Sequence, residues 1–183
     1  MGFSVSWLAF TGKSKDEVLS ALHLVDTGVL DEAAHGPMSV ASFPHDWTIV
    51  FLNRFDHPFA EDSSLRLFSQ GCTVIACHVE ENIMFSSSEL YEEGKMVWGA
   101  FHDAQQGVYH IEADGALPPA FDVIKTRMIA DQTEKGGASA DVDCVFDIPL
   151  KLATSYYGFE HDRSHYDWGE PRFTELRDRT SLQ

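Results

Sequence analysis

Phe3, Val5, Trp7 and Ala9 alternate with Ser4 and Ser6, the period-two pattern of a strand that buries one face. Ser14 and Glu17 follow at capping-box spacing, predicting a helix that turns Val18, Leu19 and Leu22 inward. Residues 26–46 are rich in turn formers, with Gly28, Gly36, Pro37 and Pro44. WTIVFLNRF (47–55) is a mostly apolar run, as expected of a strand covered on both faces. AEDSSLRLF (60–68) predicts a short helix ending near Gly71. Strands are predicted over 72–85, 95–103 and 107–115, with turns at Glu92-Glu93-Gly94 and between Asp103 and Gly107.

Residues 118–137 carry the clearest helical pattern. Pro119 fits the first turn, Phe121, Ile124 and Met128 share a face, and Gly136-Gly137 ends it. DVDCVFDIPLKLATSYYG predicts a brief extended piece and a second helix, with Asp147 as cap, Pro149 in the first turn and Gly158 at the stop. The sum is a single α+β domain over 1–158, a mainly antiparallel sheet of about five or six strands with helices packed on one face. Residues 159–183 read as a polar, aromatic-containing C-terminal tail packed on the same domain.

One position breaks the alternation. In a continuous strand over 72–85, Glu81 falls on the apolar face between Val79 and Ile83. A lone buried carboxylate is expensive, so a bulge or kink is expected at Glu81-Asn82.

Charge narrows the classes of partner. The 183 residues hold 13 Lys+Arg against 29 Asp+Glu, a net charge of −16. Such a surface repels phosphate backbones and anionic lipid, so neither direct nucleic-acid binding nor membrane docking is expected. It favours a basic protein partner. Cys72, Cys77 and Cys144 form no C-x-x-C pair, and Cys72 and Cys77 point to opposite faces of an extended segment, so reduced thiols and a cytoplasmic location are expected. MGFSVSWLAFTGK has neither the charged start of a signal peptide nor an apolar run long enough to span a membrane.

The chemistry-bearing motifs are weak. Gly12-Lys13-Ser14 resembles the end of a phosphate loop, but Trp7 stands where that loop needs its first glycine. His78, Glu80, His102, His110 and Glu112 would share one sheet face if their strands are neighbours. That face is either solvated or, in the alternative, a metal or acid–base site with His78, His102 and His110 as ligands. Asp141 and Asp143, with Asp147 beyond, have the D-x-D spacing of some cation sites. Ser86-Ser87-Ser88 lacks a nucleophile elbow and reads as a polar loop. The aromatic-rich stretch 156–173 is either pinned to the body by its rings or a partner surface.

The segments GFSVSWLAFTGKS, HVEENIMFSS, DVDCVFDIP and GFEHD together resemble a set of small uncharacterised bacterial proteins. That resemblance implies a bacterial cytosolic origin and attaches no activity.

The expectation is therefore a non-catalytic acidic protein-binding domain without a cofactor, an inhibitor or immunity-type protein that neutralises a basic toxin or enzyme. Its expected contact residues are Glu89, Glu92, Glu93, Asp141, Asp143, Glu160, Tyr166 and Trp168. The alternatives are a small enzyme using the His/Glu face and an acidic mimic of nucleic acid.

Overall fold

The computed structural model describes residues 2–31 and 35–182. Strand β1 (Ser4–Thr11) leads into α1 (Lys15–Ala21), which is closed by the expected capping box: the Glu17 amide donates to Ser14 Oγ while the Glu17 carboxylate accepts the Ser14 amide. Next come β2 (Leu24–Leu30), β3 (Met38–Phe43), β4 (Trp47–Leu52), α2 (Asp62–Phe68) and β5 (Thr73–Glu80). Strands β6 (Phe85–Glu92), β7 (Lys95–Asp103) and β8 (Glu112–Gly115) complete a meander. Helices α3 (Ala120–Glu134) and α4 (Asp147–Tyr157) follow, and β9 (Thr174–Asp178) ends the fold.

The nine strands form one antiparallel sheet in the order β2-β9-β3-β4-β1-β5-β6-β7-β8. The α+β class holds, but the sheet is larger than the expected five or six strands and its helices lie on both faces. On one face Leu8, Phe10, Val50, Leu52, Val74 and Ala76 meet α1 and α2 through Val18, Leu19, Leu65 and Phe68. On the other, Trp7, Ile49, Phe51, Ile75, Cys77, Val79 and Trp98 meet α3, α4 and the chain after α4.

The expected bulge at Glu81-Asn82 is instead a reversal. Residues 81–84 form a turn in which Met84 takes a positive φ of 51°, so β5 and β6 are a hairpin with Glu80 opposite Phe85. Glu81 leaves the apolar face and accepts the Phe3 amide at 2.8 Å. The serine run is strand, not loop. Ser86 and Ser88 are fully buried, and their hydroxyls donate to the carbonyls of Phe146, just before α4, and Pro149, in its first turn, at 2.6 and 2.7 Å. Those bonds satisfy polar groups that the interior would otherwise penalise.

The C-terminal stretch is also more than a surface tail. Gly158, at φ 78°, ends α4 in the left-handed conformation that glycine adopts without steric cost. Residues 159–173 then cross the sheet where α3 and α4 do not reach, and β9 inserts between β2 and β3.

A buried glutamine orders the approach to α4. Gln132 Nε2 donates to the Gly137 and Val142 carbonyls, and its Oε1 accepts the Cys144 amide at 2.6 Å. Gln132→Leu strands all three backbone groups. It should lower unfolding free energy in urea by about 3 kcal/mol, the scale of buried polar groups left unpaired.

Candidate functional site

The sheet face expected to gather histidines divides them. Val79 pairs with Ser86 and Ser86 with His102, whereas His78 pairs with Ser87 and Ser87 with Phe101. Directly opposed residues share a face, so His102 lies on the α3/α4 side and His78 on the α1/α2 side. His78 Nδ1 lies 3.1 Å from the Phe55 carbonyl. The three histidines are therefore not brought together on one face. Among the described residues, no group of three or more His, Cys, Asp or Glu side chains is arranged to hold a metal ion.

His102 and His110 do meet, as structure. His102 is wholly buried. Its Nδ1 lies 2.6 Å from the His110 carbonyl and its Nε2 lies 3.0 Å from Asp143 Oδ2. Both partners only accept, so both ring nitrogens donate and the ring is an imidazolium. Burial opposes that charge, but the bonds to Asp143 and the His110 carbonyl outweigh it and raise the His102 pKa above 6.5. Burial likewise pushes Asp143 up, and the bond from His102 together with the Phe146 and Val145 amides brings it below 3.8. Asp143 Oδ1 accepts those two amides at 3.1 and 3.0 Å, so Asp143, not the expected Asp147, caps the chain into α4. The His110 ring accepts the Asp103 amide at Nδ1 and donates from Nε2 to Glu112 at 3.0 Å.

The other expected contact residues do not form one patch. Glu92 and Glu93 are exposed in the β6–β7 hairpin, and Glu89, half-buried nearby, accepts the Tyr91 hydroxyl. Asp141 is exposed before α4, and Asp143 is committed to His102. Glu160, Tyr166 and Trp168 belong to the crossing segment. Tyr166 stacks on Trp168 at 5.2 Å, both rings pack on Phe43, and Tyr166 Oη bonds Glu160 and Arg163 backbone. These rings hold the segment down, although Trp168 remains 44% exposed. The three cysteines are free and buried, and burial pushes the Cys77 thiol up to about 12 against a bond to Tyr157, which leaves it unreactive.

The site that the sequence did not disclose lies where 159–173 crosses the ends of β1 and β4. Phe3, Val5, Phe51, Phe159, Pro171 and Phe173 enclose a cleft of about 370 Å³, with Asn53, His161, Asp162 and Arg163 among its polar lining. Phe159 packs edge-on to Trp7 at 5.5 Å and against Phe173 at 5.8 Å. The His161 ring stacks on Trp7 at 5.6 Å and meets Phe3 edge-on at 4.9 Å. Its side chain is only 8% exposed, and its buried Nε2 has no hydrogen-bond partner. Glu81 Oε1 is 3.7 Å from it, beyond bonding reach. A smaller recess of about 70 Å³ adjoins the same ring, lined by Trp7, Asp147, Lys151, Glu160 and Asp162.

Phe159, His161 and Phe173 stand within the aromatic-rich end of the chain, so the signal was present. Their meeting with Phe3 and Phe51 depends on non-local strand pairing.

The His102–Asp143 pair has a definite pH signature. A raised histidine pKa contributes stability that is complete below pH 6.5 and is lost as pH rises through the folded value; the lowered Asp143 pKa contributes stability above pH 3.8 that is lost as acid protonates it. Denaturation midpoints should therefore fall as pH rises above 6.5, and Asp143→Asn should flatten that limb. His102→Leu leaves a buried carboxylate uncompensated and should cost about 3–5 kcal/mol at pH 6 by the same measurement.

No protein-family model matches the chain, and no curated protein and no solved structure matches it either.

Proposed function

We propose that this chain is a non-catalytic binding domain that takes a small organic ligand in the cleft beneath residues 159–173. The observation that carries the reading is the His161 side chain, nine-tenths buried in the cleft wall with Nε2 unpartnered. Leaving a buried polar atom unpaired costs about 1–3 kcal/mol, and a ligand that supplies the missing partner recovers it. Concave sites that combine apolar walls with convergent polar groups are where small molecules bind, and the cleft joins a phenylalanine floor to a polar lining in about 370 Å³, within the range such sites occupy. The histidines expected to perform chemistry support the non-catalytic reading, because His102 is sealed from solvent and spends both nitrogens on structure.

A second reading, an acidic surface that occupies a basic protein in the manner of an inhibitor or immunity protein, is favoured by the −16 charge and by the exposure of Glu92, Glu93 and Asp141. A salt-sensitive complex recovered with purified full-length chain, insensitive to changes in the cleft, is its expected signature.

The cleft reading is tested by amide NMR during titration with a set of small aromatic fragments. Shifts are expected to concentrate on residues 3–5, 51–53 and 159–173. Phe3 is 41% exposed, so Phe3→Ala should keep the fold and weaken binding at least about threefold, the scale of one lost aromatic contact. Shifts absent from the cleft at millimolar fragment would overturn the proposal.

A further inference from the structure

We infer that His102 is a pH-operated clasp on the connection between β7 and β8: once the ring loses one proton it keeps Asp143, lets go of the His110 carbonyl and frees residues 104–111. The clasp is separate from the cleft and needs no ligand. His102 is wholly buried, with the His110 carbonyl 2.6 Å from Nδ1 and Asp143 Oδ2 3.0 Å from Nε2. A neutral imidazole has one N–H and one lone pair, so it cannot donate to both. Loss of either proton sets two lone pairs against each other inside the protein.

The groups around the ring set the direction of the switch. Asp143 faces it from the approach to α4, with the Phe146 ring beside it, and Asp103 is its neighbour on β7. Ser86 lies opposite on β6, and the His110 ring stands 6.2 Å away with Glu112 behind it. Burial works against the charge on His102, but Asp143, the His110 carbonyl and Asp103 outweigh it, so the proton leaves only as pH rises above 6.5. The His110 ring cannot produce the same effect. Its Nδ1 accepts the Asp103 amide, so a proton gained there would break that bond as pH falls, the opposite direction.

Two comparisons decide which bond yields. A hydrogen bond to an ionised acceptor is about twice as strong as one to a neutral carbonyl, which favours keeping Asp143. Mobility favours it too. Asp143 Oδ1 is held by the amides of Val145 and Phe146, both buried in the core, so withdrawing the carboxylate means moving the entrance to α4. The His110 carbonyl belongs instead to a connection in which Gln105, Gln106, Gly107 and Tyr109 are exposed. Tyr109 Oη is tethered to Thr133 by a single exposed contact of 3.3 Å. A small swing of this segment turns the carbonyl out to water, so Nδ1 is the nitrogen that gives up its proton.

The test is nitrogen NMR of the imidazoles in the full chain, with amide hydrogen exchange, between about pH 6 and about pH 9. His102 Nδ1 should lose its proton while Nε2 keeps its own. Protection of the Gly107 and His110 amides, corrected for intrinsic exchange, should fall at least about tenfold, the scale of one buried hydrogen bond lost. The Val145 and Phe146 amides should change less than about twofold. Asp143→Asn offers Nε2 a side-chain N–H to accept, so the neutral ring keeps its proton on Nδ1 and the release at Gly107 and His110 should disappear. Deprotonation at Nε2, or protection lost at Val145 and Phe146, overturns the inference. So does a ring that holds both protons until the chain unfolds, or an Asp143→Asn chain that releases the segment as the wild type does. Should that variant not fold, the wild-type nitrogen assignment decides.

Discussion

Helix α4 is fixed to the sheet by polar bonds made inside an apolar interface, and the remainder of that face is arranged around it. At its start, Ser86 and Ser88 donate to the Phe146 and Pro149 carbonyls while the His102–Asp143 pair holds the chain that enters it. At its end, Tyr157 Oη accepts the Trp7 indole N–H at 2.8 Å and sits 3.3 Å from the Cys77 sulfur. A purely apolar contact would let the helix slide or rotate at small cost, whereas each of these bonds fixes one helical position against one strand. The cost of misplacement is a buried charge or an unpaired carbonyl, and both are large. Because α4 ends over Trp7, Gly158 launches the chain directly above the β1–β4 pair, and Phe159, His161 and Phe173 are set down on it.

The cleft is a geometric consequence of that arrangement. A nine-stranded sheet has two broad apolar faces, and only α3 and α4 are available to the one that carries Trp7. An irregular segment covers the rest. It lacks the regular packing of a helix, so its rings meet the strand ends imperfectly and a cavity remains between them. The price in stability falls on His161, whose Nε2 is inside the protein without a partner. Unpaired buried groups are uncommon in folded proteins and call for a cause; the proposed ligand site would provide one.

How much of this was legible depended on whether the determining interaction was local. Strand β7 runs over the residues that alternation predicted, and the capping box of α1 and the glycine stop of α4 are formed as read, because each is set by neighbours in sequence. Strands β2 and β3 were obscured by the turn formers Gly28, Gly36 and Pro37. Strand β6 was obscured because three serines resemble a loop unless their partners, carbonyls about sixty residues away, are known. The opposed faces of His78 and His102 have the same origin. Reading 72–85 as one strand concealed a four-residue turn, and across that turn an even position pairs with an odd one, Glu80 with Phe85. Every inference about shared faces beyond the turn therefore changed parity.

The acidic composition takes on a different meaning once the side chains are placed. Its expected contact residues are scattered among the β6–β7 hairpin, the approach to α4 and the crossing segment, and one of them, Asp143, is the buried partner of an imidazolium. Charge spread in this way sets a long-range field that attracts cations to the whole molecule without deciding where they stop. Selection requires local features: an apolar wall, unpaired acceptors and shelter from water, which strengthens each interaction made there. On the face crossed by 159–173, His161 stands between the phenylalanine-lined cleft and the recess that holds Asp147, Lys151, Glu160 and Asp162. A field can only supply approach; any discrimination has to come from local geometry such as that beside Trp7.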